Sequence, residues 1–171
     1  MNIYELGLLF PVILGIHNAE EYFHHGDFIH TYPSRVARFL SKQVIRTAMV
    51  LLTLTAAMVS VLAWGYRASW LLDISIVADF ALMLNAFSHI GRSIRRRSLT
   101  PGLLSAVCLV LPYSAAVMAT LRLSEGMSWE EIARLVALGI PTIPLAVAIF
   151  LALGYALSFV KRFMATRSSA T

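Results

Sequence analysis

Apolar runs long enough to cross a bilayer follow one another along most of this chain, and no other feature restricts its fold as tightly. A helix needs about 20 apolar residues to traverse a hydrocarbon core roughly 30 Å thick. Five stretches read this way: residues 3–23, 44–64, 70–90, 102–121 and 132–160. With 58% hydrophobic and 13% charged residues, against about 45–50% and 25% in a soluble domain, a water-soluble globule and a disordered chain are both excluded. The lone cysteine, Cys108, rules out a disulfide-stapled module and reads as a small buried hydrophobe. The expected fold is all-α, an integral membrane bundle of five transmembrane helices. It forms one domain over residues 1–165, with a short flexible tail at 166–171.

The net charge of +5 does not point to nucleic acid, because the basic residues cluster at the ends of apolar runs. They fall at Arg35, Arg38, Lys42 and Arg46, at Arg92, Arg95, Arg96 and Arg97, and at Lys161 and Arg162. Loops that face anionic lipid on the cytoplasmic side carry this pattern. Five spans with a cytoplasmic C-terminus put eleven Lys and Arg inside and leave Arg67, Arg122 and Arg134 outside. Trp64, Trp70 and Trp129 then share the outer interface, which indole rings favour. The localisation expected is the membrane itself, the cytoplasmic membrane if the source is bacterial. The first run has no basic n-region and carries Glu5, so it reads as a retained helix rather than a signal peptide. Ser128 and Glu131 form a capping box for the last helix. Thr100 and Pro101 supply an N-cap and a first-turn proline for the fourth.

Ionisable groups inside a span are costly and face a bundle interior or a cavity, so they locate function. At about 100° per residue, His17, Glu21 and His24 share a narrow arc of the first helix, flanked by Glu20 and His25. Imidazole and carboxylate groups three and four residues apart can converge on one ion. The third span adds Asn85 and His89, one turn apart. In the five-span topology both groups lie in the cytoplasmic half of the bilayer and meet at one depth. The start of the fourth helix at Pro101 and Gly102 opens on the same side, where it would favour an anion. Blander readings apply elsewhere: His30 to the headgroup region, Asp73 to the outer interface, and Tyr113 to packing beside Pro112. His25 also suits the headgroups, and it and Tyr113 are kept as outer candidates for substrate contact. Asp79, about 9 Å along the helix from Asn85, is a supporting or proton-path candidate.

At His17–Asn18–Ala19–Glu20–Glu21 the sequence resembles the HXXEE-domain family of small bacterial integral membrane proteins. The pair Asn85 and His89 and the Pro101–Gly102 opening of the fourth span also look like that family, and the resemblance extends over residues 6–160. It implies a membrane-embedded cluster of His17, Glu20, Glu21, Asn85 and His89, and no particular reaction.

Residue chemistry therefore carries the functional expectation: a metal-dependent membrane enzyme acting on a lipid or other hydrophobic substrate near the cytoplasmic leaflet. His17, Glu21, His24 and His89 are the expected ligands of a divalent metal, zinc before iron, with one position open. Glu20 is the expected general base. Hydrolysis is preferred to iron-dependent oxidation. The alternatives are a small metal-ion or proton-coupled transporter, which predicts a homo-oligomer with a path past Asp79, and a bis-histidine haem between His17 and His89.

Overall fold

A computed structural model describes residues 2–24 and 40–168 of the chain, and all of its regular structure is helical. The helices are α1 (Ile3–Gly7), α2 (Phe10–Phe23), α3 (Lys42–Tyr66), α4 (Ser69–Arg96), α5 (Leu103–Leu123) and α6 (Trp129–Ser168). Helix α6 packs on α3 and α4, α2 packs on α3, and α5 packs on α4. The short α1 is held against α3, α4 and α5.

The first apolar run is not a span. Asn2 and Glu5 form a capping box that starts α1, and α1 ends at Gly7, four residues before Pro11. Proline has no N–H to give to the Gly7 carbonyl, and its ring crowds that oxygen. The chain therefore turns at Leu8 and Leu9 and restarts as α2, with Pro11 in its first turn. Fourteen residues at 1.5 Å each reach only about 21 Å, short of a bilayer core. Among the described residues four helices, not five, are long and apolar enough to cross a membrane: α3, α4, α5 and residues 129–160 of α6. The cytoplasmic C-terminus and leaflet assignment rested on five full spans and the odd number they imply, and they fall with that count.

These four helices nonetheless require lipid. Only 6% of the most apolar stretch of α6 is buried within the protein, so its Leu, Ile and Val face must find an apolar solvent outside. Cys108 likewise faces out of the bundle rather than into its core. The chain is an integral membrane protein of helical type.

Two glycines let α6 lie close on its neighbours. A Cβ at Gly139 would stand 2.9 Å from the Ala81 nitrogen, and one at Gly154 would stand 2.6 Å from the Val44 carbonyl oxygen. Small residues at such crossings allow backbone approach, which drives helix association in lipid. Gly154→Ala is expected to cost about 1–3 kcal/mol through overpacking, read as a lower melting temperature in detergent. Gly65→Ala, with nothing within 4 Å, should not lower it.

Candidate metal centre

Helix α2 ends the first apolar run with His17, Glu20 and Glu21 on adjoining turns. Helix α4 brings Asn85, His89 and Arg92 alongside, and the start of α5 closes the group from above. His17 and His89 are each 1% exposed, and their rings meet edge to face with centroids 5.1 Å apart. Glu21 Oε1 lies 3.1 Å from His89 Nε2 and 3.8 Å from His17 Nε2. One ligand atom from each of the three residues falls within 4.8 Å of the others. Two donors held at about 2.0–2.1 Å by a tetrahedral ion stand roughly 3.3 Å apart, and the two carboxylate distances bracket that value. His17, Glu21 and His89 form a buried cluster able to coordinate a metal ion.

The hydrogen bonds orient the ligands. Ser105 Oγ donates to Glu20 Oε2 at 2.5 Å and lies 2.9 Å from His17 Nδ1. Its one proton is committed to the carboxylate, so it accepts from His17 Nδ1–H. That leaves the His17 Nε2 lone pair facing Glu21 and His89. A buried ligand histidine whose other nitrogen is tied to a fixed partner is the arrangement that holds metal sites in shape. Asn85 Nδ2 stands 3.2 Å from His17 Nε2 and 3.1 Å from His89 Nε2, so an amide proton meets the lone pair an ion would use.

His89 is held differently. Arg92 Nη2 is 3.2 Å from His89 Nδ1, and a guanidinium only donates. The same Arg92 nitrogen is 3.4 Å from His89 Nε2; with Nδ1 accepting at the shorter contact, Nε2–H donates to Glu21, 3.1 Å away. If His89 presented Nε2 to an ion, its proton would move to Nδ1, and Arg92 would have to turn away.

Glu20 does not face the centre of the cluster. Its carboxylate accepts from the Leu104 amide at 3.1 Å and the Ser105 amide at 2.7 Å, the second and third residues of α5. That is the position of an N-cap side chain, supplied here from more than 80 residues away. Partial burial pushes the Glu20 carboxyl up, but the bonds from the Ser105 hydroxyl, the Ser105 amide and the Leu104 amide outweigh it. The group lies below the ordinary carboxylate range. Thr100 is not the cap the sequence suggested. Its hydroxyl donates to the His89 carbonyl at 3.2 Å and contacts Ser93 Oγ, and the N-cap position belongs to Gly102. The anion expected at this helix start is the protein's own Glu20. Ser128 and Glu131, by contrast, form their capping box.

Gly102 is built into the site. Its φ of +83° is a left-handed conformation, and a Cβ there would stand 2.7 Å from His89 Cε1 and 3.0 Å from His17 Cε1. Just beyond it, α5 widens into a π turn over Ala106–Val110. The π turn precedes Pro112, which has no N–H for the Cys108 carbonyl.

The remaining sequence candidates lie elsewhere. His24 is exposed, with Nδ1 2.9 Å from the Glu20 carbonyl of its own helix, and it is not part of the three-residue cluster. His25 and His30 lie outside the described residues. Asp79 is buried, accepts from Ser114 Oγ at 2.7 Å, and lines a small void beside Tyr113 instead of the cluster. Tyr113 donates to the Leu6 carbonyl and ties α5 to α1. Sequence reasoning marked Gly102 only as part of a helix start that would favour an anion, and it did not single out Ser105 or Arg92 for the site. Ser105 carries no local signal, and Arg92 sits in a basic run that reads as a solvated loop.

The cluster borders a cavity of about 660 Å³ between α2, α3, α4 and α6. His17, Glu21, Asn85 and Arg92 contribute polar wall, and Leu52, Val59, Val147 and Phe150 are among its apolar residues.

No curated protein and no solved structure matches the chain. One family model does, described as protein of unknown function with HXXEE motif, over residues 8–117. His17, Glu20 and Glu21 supply the letters of that motif, one as ligand-capable imidazole, one as helix cap and one as ligand-capable carboxylate. The match covers well over half of the sequence, and the chain belongs to the HXXEE family.

Proposed function

We propose that this protein is a metal-dependent membrane enzyme that acts on a lipid or other hydrophobic substrate, with hydrolysis as its reaction and zinc as its metal. One observation carries the reading: His17 and Glu21 of the ligand-capable cluster form part of the wall of a cavity that is otherwise mainly apolar. Ligand sites of this kind combine a large apolar surface with a few convergent polar groups. Two histidines and one carboxylate leave coordination positions free, as catalytic zinc sites do. Bound there, the ion would act as a Lewis acid and activate water. The same donor set suits ferrous iron, so metal identity separates hydrolysis from oxidation.

The residues have distinct tasks in this reading. His17 and His89 present Nε2, and Glu21 completes the set. Asn85 donates to the His17 Nε2 lone pair and gives it up when an ion binds. Glu20 is a positioning residue rather than the base: it fixes Ser105, and Ser105 fixes His17. His24, on the surface, is not required. A bis-histidine haem does not suit this pair, because rings packed edge to face at 5.1 Å leave no slot for a macrocycle.

Elemental analysis of protein purified without chelator should return close to one equivalent of zinc or iron. Less than about a tenth of an equivalent of any transition metal, against a one-site stoichiometry, overturns the reading. Glu20→Gln tests the positioning role. It should weaken metal binding by about 10–100-fold, the usual loss when a ligand's outer partner is removed. Unchanged affinity with lost turnover would instead make Glu20 the base.

A further inference from the structure

The cavity runs lengthwise. On α4 it is lined from Ile74 to Arg92 and on α3 from Ile45 to Val59, about 27 and 21 Å at 1.5 Å per residue. With about 660 Å³ along that length, the cavity has room for an extended hydrocarbon chain. Arg92 stands at one limit of this face of α4. It is half-buried, its Nε donates to the Ser88 carbonyl, and among the described residues it is the lone Lys or Arg lining the cavity.

We propose that the cavity binds a single-chain amphiphile with a carboxylate head, a long-chain fatty acid or its equivalent, with the head on Arg92 and the chain along α3, α4 and α6. A guanidinium pairs a carboxylate with two parallel hydrogen bonds. A phosphomonoester dianion fits less well, because Glu21 stands on the same wall and, among the described residues, no second Lys or Arg lines the cavity to balance the extra charge. A free fatty acid has no bond left to hydrolyse, so the inference names the acyl product that the proposed hydrolysis would release and rests on that reading for its purpose, while its test does not depend on turnover.

The test is equilibrium binding of radiolabelled hexadecanoate to the purified full chain, with hexadecanol and hexadecyl phosphate as competitors and metal content measured on the same sample. Hexadecanoate should bind at least about tenfold more tightly than hexadecanol, the scale set by one charge-assisted pair. Arg92→Gln should remove that preference and leave hexadecanol binding intact. Arg92→Lys, which keeps the charge, should retain it. Ala56→Phe, which fills the cavity wall, should weaken both acid and alcohol. Equal wild-type affinities for acid and alcohol overturn the proposal even if no Arg92 variant folds. So does tighter binding of the alkyl phosphate, or a preference that survives Arg92→Gln. An acid preference that depends on Arg92 in protein without metal sustains this inference and sinks the metalloenzyme reading. Metal at full occupancy with no acid preference does the reverse.

Discussion

Gly102→Ala is expected to reduce metal retention below about a tenth of wild type and to lower the melting temperature in detergent by about 5 °C or more. Two costs combine. A non-glycine residue in the left-handed region costs about 1–2 kcal/mol, and each kcal/mol shifts a chain of this size by about 2–4 °C. The added methyl also meets both imidazoles at once, at 2.7 Å from His89 Cε1 and 3.0 Å from His17 Cε1. Neither ring has somewhere to go, because His17 is tied to Ser105 and His89 lies against Glu21, Asn85 and Arg92. Gly126→Ala separates the two effects. Gly126 also has positive φ, +70°, but nothing lies within 4 Å of its Cβ position. It should share the backbone cost and keep its metal. If both variants lose metal equally, contact with the rings is not the reason.

His17→Ala and His89→Ala are each expected to weaken metal binding by about 100-fold or more, whereas His24→Ala should stay within about twofold of wild type. Apparent binding energies of about 10–16 kcal/mol shared by three or four ligands give each about 3 kcal/mol or more, or roughly 100-fold. His24 shares the helical arc of His17 and Glu21 in the sequence, so a four-ligand site would use it. In the folded protein its ring is exposed and turned onto the Glu20 carbonyl. Isothermal titration of metal-stripped protein with zinc distinguishes the two sets. Loss of affinity in His24→Ala to the level of His17→Ala would mean that binding recruits His24 from the surface, and the three-residue set would be wrong.

Much of this protein was legible from its residues alone, and the boundary is physical. Membrane residence and helical class follow from composition and run length, since backbone in hydrocarbon has to satisfy its own hydrogen bonds. His17 and Glu21, like Asn85 and His89, are paired by helical spacing, and the start of α6 is written in Ser128 and Glu131, because each interaction spans four residues or fewer. Run length misled at the first segment. Hydropathy averages over Pro11, whereas one missing N–H breaks the helix at Gly7 and removes a span. Interactions between distant segments were closed to such reading. That Glu20 caps α5, that Ser105 selects the tautomer of His17, and that Gly102 leaves room for two rings all depend on α2, α4 and α5 meeting at one point. Arg92 shows a related divide: charge pattern places it in a basic run, its spacing of three from His89 allows their contact within α4, and only the packing of the helices puts it in the wall of the cavity. Residue types and local spacing determined which groups could act, and the contacts between helices decided which of them do so together.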